Sequence, residues 1–489
     1  MTDSTTPTKT HNKIDGCIPK SIDGCIPEGA FLDWFAISPL GIQRNFKVPN
    51  FELNNQSTYY TTENDLKKTL FLTQKHDIFV NFSTHFMPFS LSNACENVYP
   101  YSGFPVVFSL IILASQRLDE PQKRRLNGIT IGRSGIGKEM VTIYPEALGR
   151  GKQNDTIVRK FDRPTIRGFE IRAEHDQQLF KNKVHIYPDL TTLETFSKNI
   201  RNAWFSYMNR RLETEYVDDS TFFAKPMNIG LKTGIINFLG CCTPEYIKRL
   251  RYNSKEGLVN STYWDRILYY NHELTQQQID VGDAYLQHLK SNKNKIMIEI
   301  PNEIKALIKA GNSFKRYEVN IPEKQLQQLM QLRNIIFLSK TNIREISHKT
   351  KDKEGKTTDE WIETIQTAET RRSSEQAEML VKSIALLKEK KMKNTRTDKT
   401  DFIFALNILE KMYFTPNKYW KVYYYMNKYC PWVTYTTFTE NENSMFKLSR
   451  MSAATALDKL IELDFVKKTT KKDSSHENIF HLTGKQYEI

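Results

Sequence analysis

The sequence predicts an α/β chain that ends in a small helix-and-strand unit, and three observations predict it. Between Arg125 and about Glu273, short apolar runs ("NGITIG", "KVHIYP", "GIINFLG") alternate with amphipathic stretches, as in a sheet covered by helices. The first of those runs leads directly into a Gly-rich stretch ending in lysine, "GRSGIGK". Near the C-terminus, "LSRMSAATALDKLIELDFVKK" carries a helical stripe of apolar residues and is followed by two strand-like runs.

A chain of 489 residues is long enough for two or three domains that each bury a core. Lys and Arg number 70 against 56 for Asp and Glu, a formal charge of +14. That surplus favours a polyanionic partner such as DNA, the alternative being a lysine-rich solvated surface. The six cysteines (Cys17, Cys25, Cys95, Cys241, Cys242, Cys430) lack C-x-x-C spacing, so reduced thiols are expected. The longest apolar run, Phe104 to Ala114, reads as a buried helix, well short of the ~20 residues that cross a bilayer. The first residues lack the apolar centre of a secretory signal, which predicts a cytoplasmic protein with no membrane partner.

Composition divides the chain into five parts. Residues 1–30 read as a flexible tail holding two copies of "IDGCIP", and 31–122 as an extension packed on the core. Residues 123–280 form the α/β core, 281–412 a helical lid with the charged loop "HKTKDKEGKTTDE", and 413–489 a C-terminal domain.

The Gly132, four residues, Gly137, Lys138 spacing matches a phosphate-binding loop, and "NGITI" supplies the strand such a loop follows. Glycines let successive amides turn inward around phosphate oxygens, and Lys138 brings a positive charge to the β and γ phosphates. Gly132, Arg133, Ser134, Gly135, Ile136, Gly137, Lys138 and Glu139 are therefore the expected ATP cradle. Glu139 stands where a hydroxyl would ligate Mg²⁺; its carboxylate could bind the metal but would repel the phosphates.

Downstream, "VHIYPDLTTLE" places Asp189 after an apolar strand, where it would orient a magnesium-bound water or act as a strand-end turn residue. In "GIINFLGCCTPEYIKRL", Thr243 would sense the γ-phosphate or cap a helix with Pro244 at its first position. Arg266, set among aromatic and aliphatic residues, would be offered to a neighbouring subunit's nucleotide or make a surface salt bridge.

At the C-terminus, Ala453, Ala456, Leu457, Leu460, Ile461 and Leu463 form the apolar stripe, with Ser449 and Ser452 as candidate caps. Strands at "DFVKKTT" and "NIFHLT" would complete a winged helix-turn-helix. Ser449, Arg450, Ser452 and Thr455 would then face a DNA groove while Lys467, Lys468, Lys471 and Lys472 meet phosphates.

In chain order, "GRSGIGK", the Asp189 strand, "INFLGCCTPE", "GLVNSTYWDR" and "ETRRSSEQAEMLVKSIALL" resemble AAA+ ATPases of the minichromosome maintenance type and helicases of phages and plasmids. The resemblance covers residues 125 to 410 and implies a P-loop NTPase core with a helical lid, followed by the winged helix. It makes Thr243, Arg266 and Arg372 counterparts of the family's polar strand tip, finger and lid sensor. "DLTTLETF" also looks like the D-x-T-x-E-x-L stretch of mobile-element helicase-like proteins, which would move Asp189 ahead of the catalytic carboxylate. The implied function is an ATP- and Mg²⁺-dependent, homo-oligomeric DNA helicase or helicase-like ATPase of a mobile or archaeal element, with a ring as one arrangement of its subunits. Glu139 and the lack of an adjacent Asp-Glu pair motivate the alternative, a non-hydrolysing DNA-binding initiator or regulator that uses the fold as a platform.

Overall fold

The computed structural model describes residues 103–138, 156–161, 183–212, 235, 237–247, 265–274, 276, 279, 302–309, 315–340, 344–351, 357–365, 370–388, 396–413, 417–430, 432–470 and 478–483. The repeated "IDGCIP" tail, most of the 31–122 extension, Glu139, Lys471 and Lys472 lie outside the described residues.

Five parallel strands form the central sheet: β1 (Gly128–Ile131), β2 (Val158–Lys160), β3 (Val184–Tyr187), β4 (Asn237–Cys242) and β5 (Leu268–Asn271), in the order β2-β3-β4-β1-β5. Every residue of β1, β3, β4 and β5 is buried, as expected of parallel strands covered on both faces. Side chains alternate between two cores: Leu239, Cys241, Leu268 and Tyr270 enter one, and Phe238, Cys242, Ile267 and Tyr269 the other.

On the first face lies α1 (Gly103–Ser115), the expected buried helix, apolar on all sides and sandwiched between the sheet and α5 (Thr370–Leu387). Phe108 of α1 stacks on Tyr270 at 5.3 Å, so the helix sits directly on the strands. The opposite face is covered by α2 (Lys198–Arg211), through Trp204, Phe205, Tyr207 and Met208. Between β5 and α5 come α3 (Asn302–Ile308) and α4 (Leu326–Lys340), then β6 (Arg344–Lys351) and β7 (Thr357–Ile365).

The last two strands correct one expectation. The charged stretch read as a loop within a helical lid is an antiparallel hairpin, in which Lys349 stands opposite Glu360 and His348 opposite Trp361. Interleaved Ile and Thr give "REISHKTK" and "TTDEWIETI" the β-branched content that suits a pleated ribbon, despite their charge.

Downstream follow α6 (Lys399–Leu409), α7 (Lys418–Lys428), β8 (Trp432–Val433), α8 (Tyr435–Thr439), α9 (Arg450–Glu462), β9 (Val466–Thr470) and β10 (Asn478–Leu482). A capping box starts α6: Asp398 accepts from Thr400 N at 2.8 Å, and Asp401 accepts from Asp398 N at 2.8 Å. Strands β8, β10 and β9 form an antiparallel sheet in that order. Ser449 caps α9 by accepting from Ser452 N at 3.2 Å, and Ala453, Ala456, Leu457 and Leu460 point inward as the stripe predicts. Ile461 and Leu463 are only partly buried. Tyr423 of α7 and Phe337 of α4 both meet Phe465, so the first core runs unbroken from α1 into this C-terminal part. Among the described residues no helix is long and apolar enough to cross a membrane.

The close approach of α1 to β1 depends on a missing side chain. A Cβ on Gly128 would lie 2.8 Å from the Phe108 ring and 3.0 Å from Ile112. Gly128→Ala should therefore cost about 1–3 kcal/mol by overpacking, measured as a lower urea midpoint at unchanged slope. An unchanged midpoint would mean that the helix can back away.

Candidate functional site

The strand order gives the sheet a switch point at the carboxyl ends of two neighbouring strands. From β1 the chain leaves for the far strand β2 and returns through β3 to β4, whereas from β4 it crosses β1 to reach β5. Connections leaving the neighbours β1 and β4 thus diverge, and ligands of open α/β sheets bind beyond the carboxyl ends of strands at such a point. The Gly132–Lys138 stretch leaves β1 at this point.

Four bonds fix the stretch to its neighbours. Gly132 N donates to Cys242 O at 3.1 Å, His272 N to Ile131 O at 2.7 Å, and the Cys241 thiol to Lys138 O at 3.2 Å. His272 Nε2 lies 2.8 Å from Ile136 O, and because a carbonyl only accepts, this nitrogen carries the proton. Gly135 (φ 82°) and Gly137 (φ 80°) adopt the left-handed conformation that side-chain-bearing residues avoid. Arg133, Ser134 and Gly135 form an exposed crest, while Ile136 and Lys138 turn inward and are buried. A turn of this kind, with paired left-handed glycines and an inward lysine, suits an anion with several oxygens.

Asp189 follows β3, two places from β1 in the sheet. Its Oδ1 accepts from Thr191 N at 2.9 Å and Thr191 Oγ1 at 2.6 Å, which makes it the cap of a 3₁₀ turn at Leu190–Thr195. Thr243 likewise caps the helical turn that begins at Pro244, accepting from Tyr246 N at 3.4 Å. For Thr243 the geometry matches the capping alternative read from the sequence, and for Asp189 the strand-end turn alternative. Neither is remote from the loop: the Cys242 thiol, pushed well above its ordinary range chiefly by burial, feels Lys138 pulling it down and Asp189 pushing it up. Cys242 thus lies within electrostatic reach of both groups.

Arg266 and Arg372 stand elsewhere. Arg266 precedes β5, at the sheet edge opposite the loop, where it is buried and donates to the Asn209 side chain of α2. Arg372 lies one turn before Gln376, whose amide donates to Asp265 O at 2.9 Å, so it belongs to that same far edge. In the C-terminal part, Ser449 and Arg450 are exposed at the start of α9 and Lys467 and Lys468 along β9. Ser452 shares a 3.0 Å bond with Ser449, and Thr455 donates back to Met451 O at 2.8 Å.

Two residues that sequence reasoning passed over contribute to the site. His272, the residue directly after β5, latches the loop, and its only sequence signal is a polar "NHE" after an aromatic strand. Tyr246 is buried, which raises its hydroxyl well above the ordinary range with the charges of Cys242, Glu194 and Asp189 adding to the shift, and that hydroxyl has no hydrogen-bond partner among the described residues. No protein family model matches this chain, and no curated protein matches it.

Burial lowers the His272 imidazole to about 4, with Lys411 and Lys138 adding to the shift against the opposing bond to Ile136. The folded value lies below the unfolded one near 6.5, so the unfolded chain takes up a proton that the folded chain refuses. The associated stability is present above the unfolded value and is lost as pH falls toward 4. Asp401, raised to about 6 by burial, gives the opposite slope, so a paired comparison is needed. From about pH 7 to about pH 5 the wild-type chain should lose on the order of 2 kcal/mol more stability than His272→Gln in urea titrations. Parallel pH profiles would show that the imidazole does not titrate on unfolding.

Proposed function

We propose that the chain is an ATP-binding, DNA-associated protein of the AAA+ type, acting as an oligomeric replication helicase or helicase-like ATPase. The observation that carries this reading is the Gly132–Lys138 turn, held at the divergence point of a parallel sheet with a buried lysine and two left-handed glycines. In this reading the crest amides and Lys138 would hold the triphosphate, and Asp189, two strands away at the same end of the sheet, would help to hold Mg²⁺. The metal would neutralise charge developing on the transferred phosphoryl group. Thr243, at the tip of β4, would contact the γ-phosphate.

Arg266 stands away from its own loop, and from that edge it would serve a neighbouring subunit's nucleotide once its bond to Asn209 is released. Arg372 at the same edge would act across the same boundary. The C-terminal part is read as a winged helix: Ser449 and Arg450 begin the helix offered to a groove, and Lys467 and Lys468 lie on the first strand of the wing.

One observation favours the second reading, a non-hydrolysing DNA-binding platform: an Asp189 oxygen is already committed to Thr191. DNA-stimulated ATP turnover separates the two. Lys138→Ala should cut turnover by about 10²-fold or more, whereas wild-type DNA binding without any turnover selects the platform. Replacing Lys467 and Lys468 by Glu should weaken duplex binding and lower its salt slope by about one for each phosphate no longer neutralised. Unchanged affinity would remove the wing from the interface.

A further inference from the structure

A distant part of the chain reaches the strand end that holds the loop. The segment between α6 and α7 is pinned to the end of β5: Asn271 N donates to Lys411 O at 2.8 Å, and the Asn271 amide donates to the carbonyls of Lys411, at 3.3 Å, and Tyr413. Two residues along, Glu273 accepts from the Tyr413 hydroxyl at 3.3 Å. Between these two contacts sits His272, whose ring holds the Ile136 carbonyl of the loop. Three consecutive residues of one strand end therefore tie the 411–413 segment and the phosphate-binding candidate to each other.

Lys411 is half-buried at this junction, and among the described residues no carboxylate pairs with it. Behind burial, the charges of Lys411 and Lys138 both bear on the His272 ring. A half-buried ammonium that no carboxylate pairs with favours an anion that reaches it. A triphosphate carries more negative charge than Lys138 and the loop amides offset, and the end of the phosphate chain is where that excess is greatest.

We propose that Lys411 is a second phosphate-binding cation, reaching the terminal phosphate of a nucleoside triphosphate bound by the Gly132–Lys138 loop. This rests on the nucleotide-binding reading above. Lys411 is borne on the segment that leads into α7 and the basic strand β9, so binding the terminal phosphate also loads the route to the C-terminal part. By linkage, a duplex bound at β9 then alters triphosphate affinity by the same factor that the triphosphate alters duplex affinity.

The test is equilibrium titration of the full chain with fluorescent ATP and ADP, for wild type, Lys411→Ala, Lys411→Arg and Lys138→Ala. Lys411→Ala should weaken ATP by about tenfold and ADP by less than about threefold, and Lys411→Arg should stay close to wild type for both. Lys138→Ala should weaken both nucleotides. ATP affinity unchanged in Lys411→Ala overturns the proposal and leaves the loop reading intact. Equal losses for ATP and ADP with a lowered melting temperature also overturn it, by assigning Lys411 a structural role. Wild type that binds neither nucleotide overturns the loop reading itself, and this proposal with it.

Discussion

Everything at the candidate site depends on β1 being hydrogen-bonded on both sides. Gly128 to Ile131 pair with Leu239 to Cys242 of β4 and with Leu268 to Asn271 of β5, in parallel and in step. A four-residue strand has little stability of its own, but buried between two partners every one of its amides and carbonyls has a place to go. The two neighbours then continue past it and supply Cys242 O and the His272 amide and ring, which receive the next residues of the chain. The loop is shaped from both sides by the strands that flank its root, and the left-handed glycines let it follow them.

Much of this was legible in the residues, and what was missed has a physical pattern. β1, β3 and β4 announce themselves as short apolar runs, α1 as a longer one, and α9 as a periodic apolar stripe. β5 was hidden because "LYYN" is short and sits behind Arg266 and Trp264 in a stretch whose aromatics suit helix and strand alike. With β5 unseen, His272 had no place in the argument, although it is the side chain that latches the loop. The hairpin of β6 and β7 was hidden for the opposite reason: its charge reads as solvent-exposed loop, whereas its strand character lies in interleaved Thr and Ile. Asp189 and Thr243 each had two roles open to them in the sequence, and local hydrogen bonding fills the turn role at Asp189 and the capping role at Thr243.

The two faces of the sheet differ in what they are built from. The face under α2 is aromatic, with Tyr187 edge-on to Trp204 at 6.1 Å and to Phe238 at 6.1 Å, and it lies below Asp189 and Tyr246. The face under α1 is mainly aliphatic around the Phe108–Tyr270 stack, and its core extends through α4 and α5 into the C-terminal part, where it becomes aromatic. Of the two, the aromatic layer is the smaller and carries the carboxylate side of the switch point, whereas the aliphatic layer carries the mechanical continuity of the chain.

That continuity has a consequence for how the molecule could come apart. Trp420 and Tyr424 stack at 5.0 Å, Tyr424 lies parallel to Phe446 at 6.1 Å, and Phe465 is held by Phe337 and Tyr423. Close packing of this kind makes separation of the two parts costly. The C-terminal part shares one apolar core with the sheet through α4, and excising it would leave an apolar scar along α4.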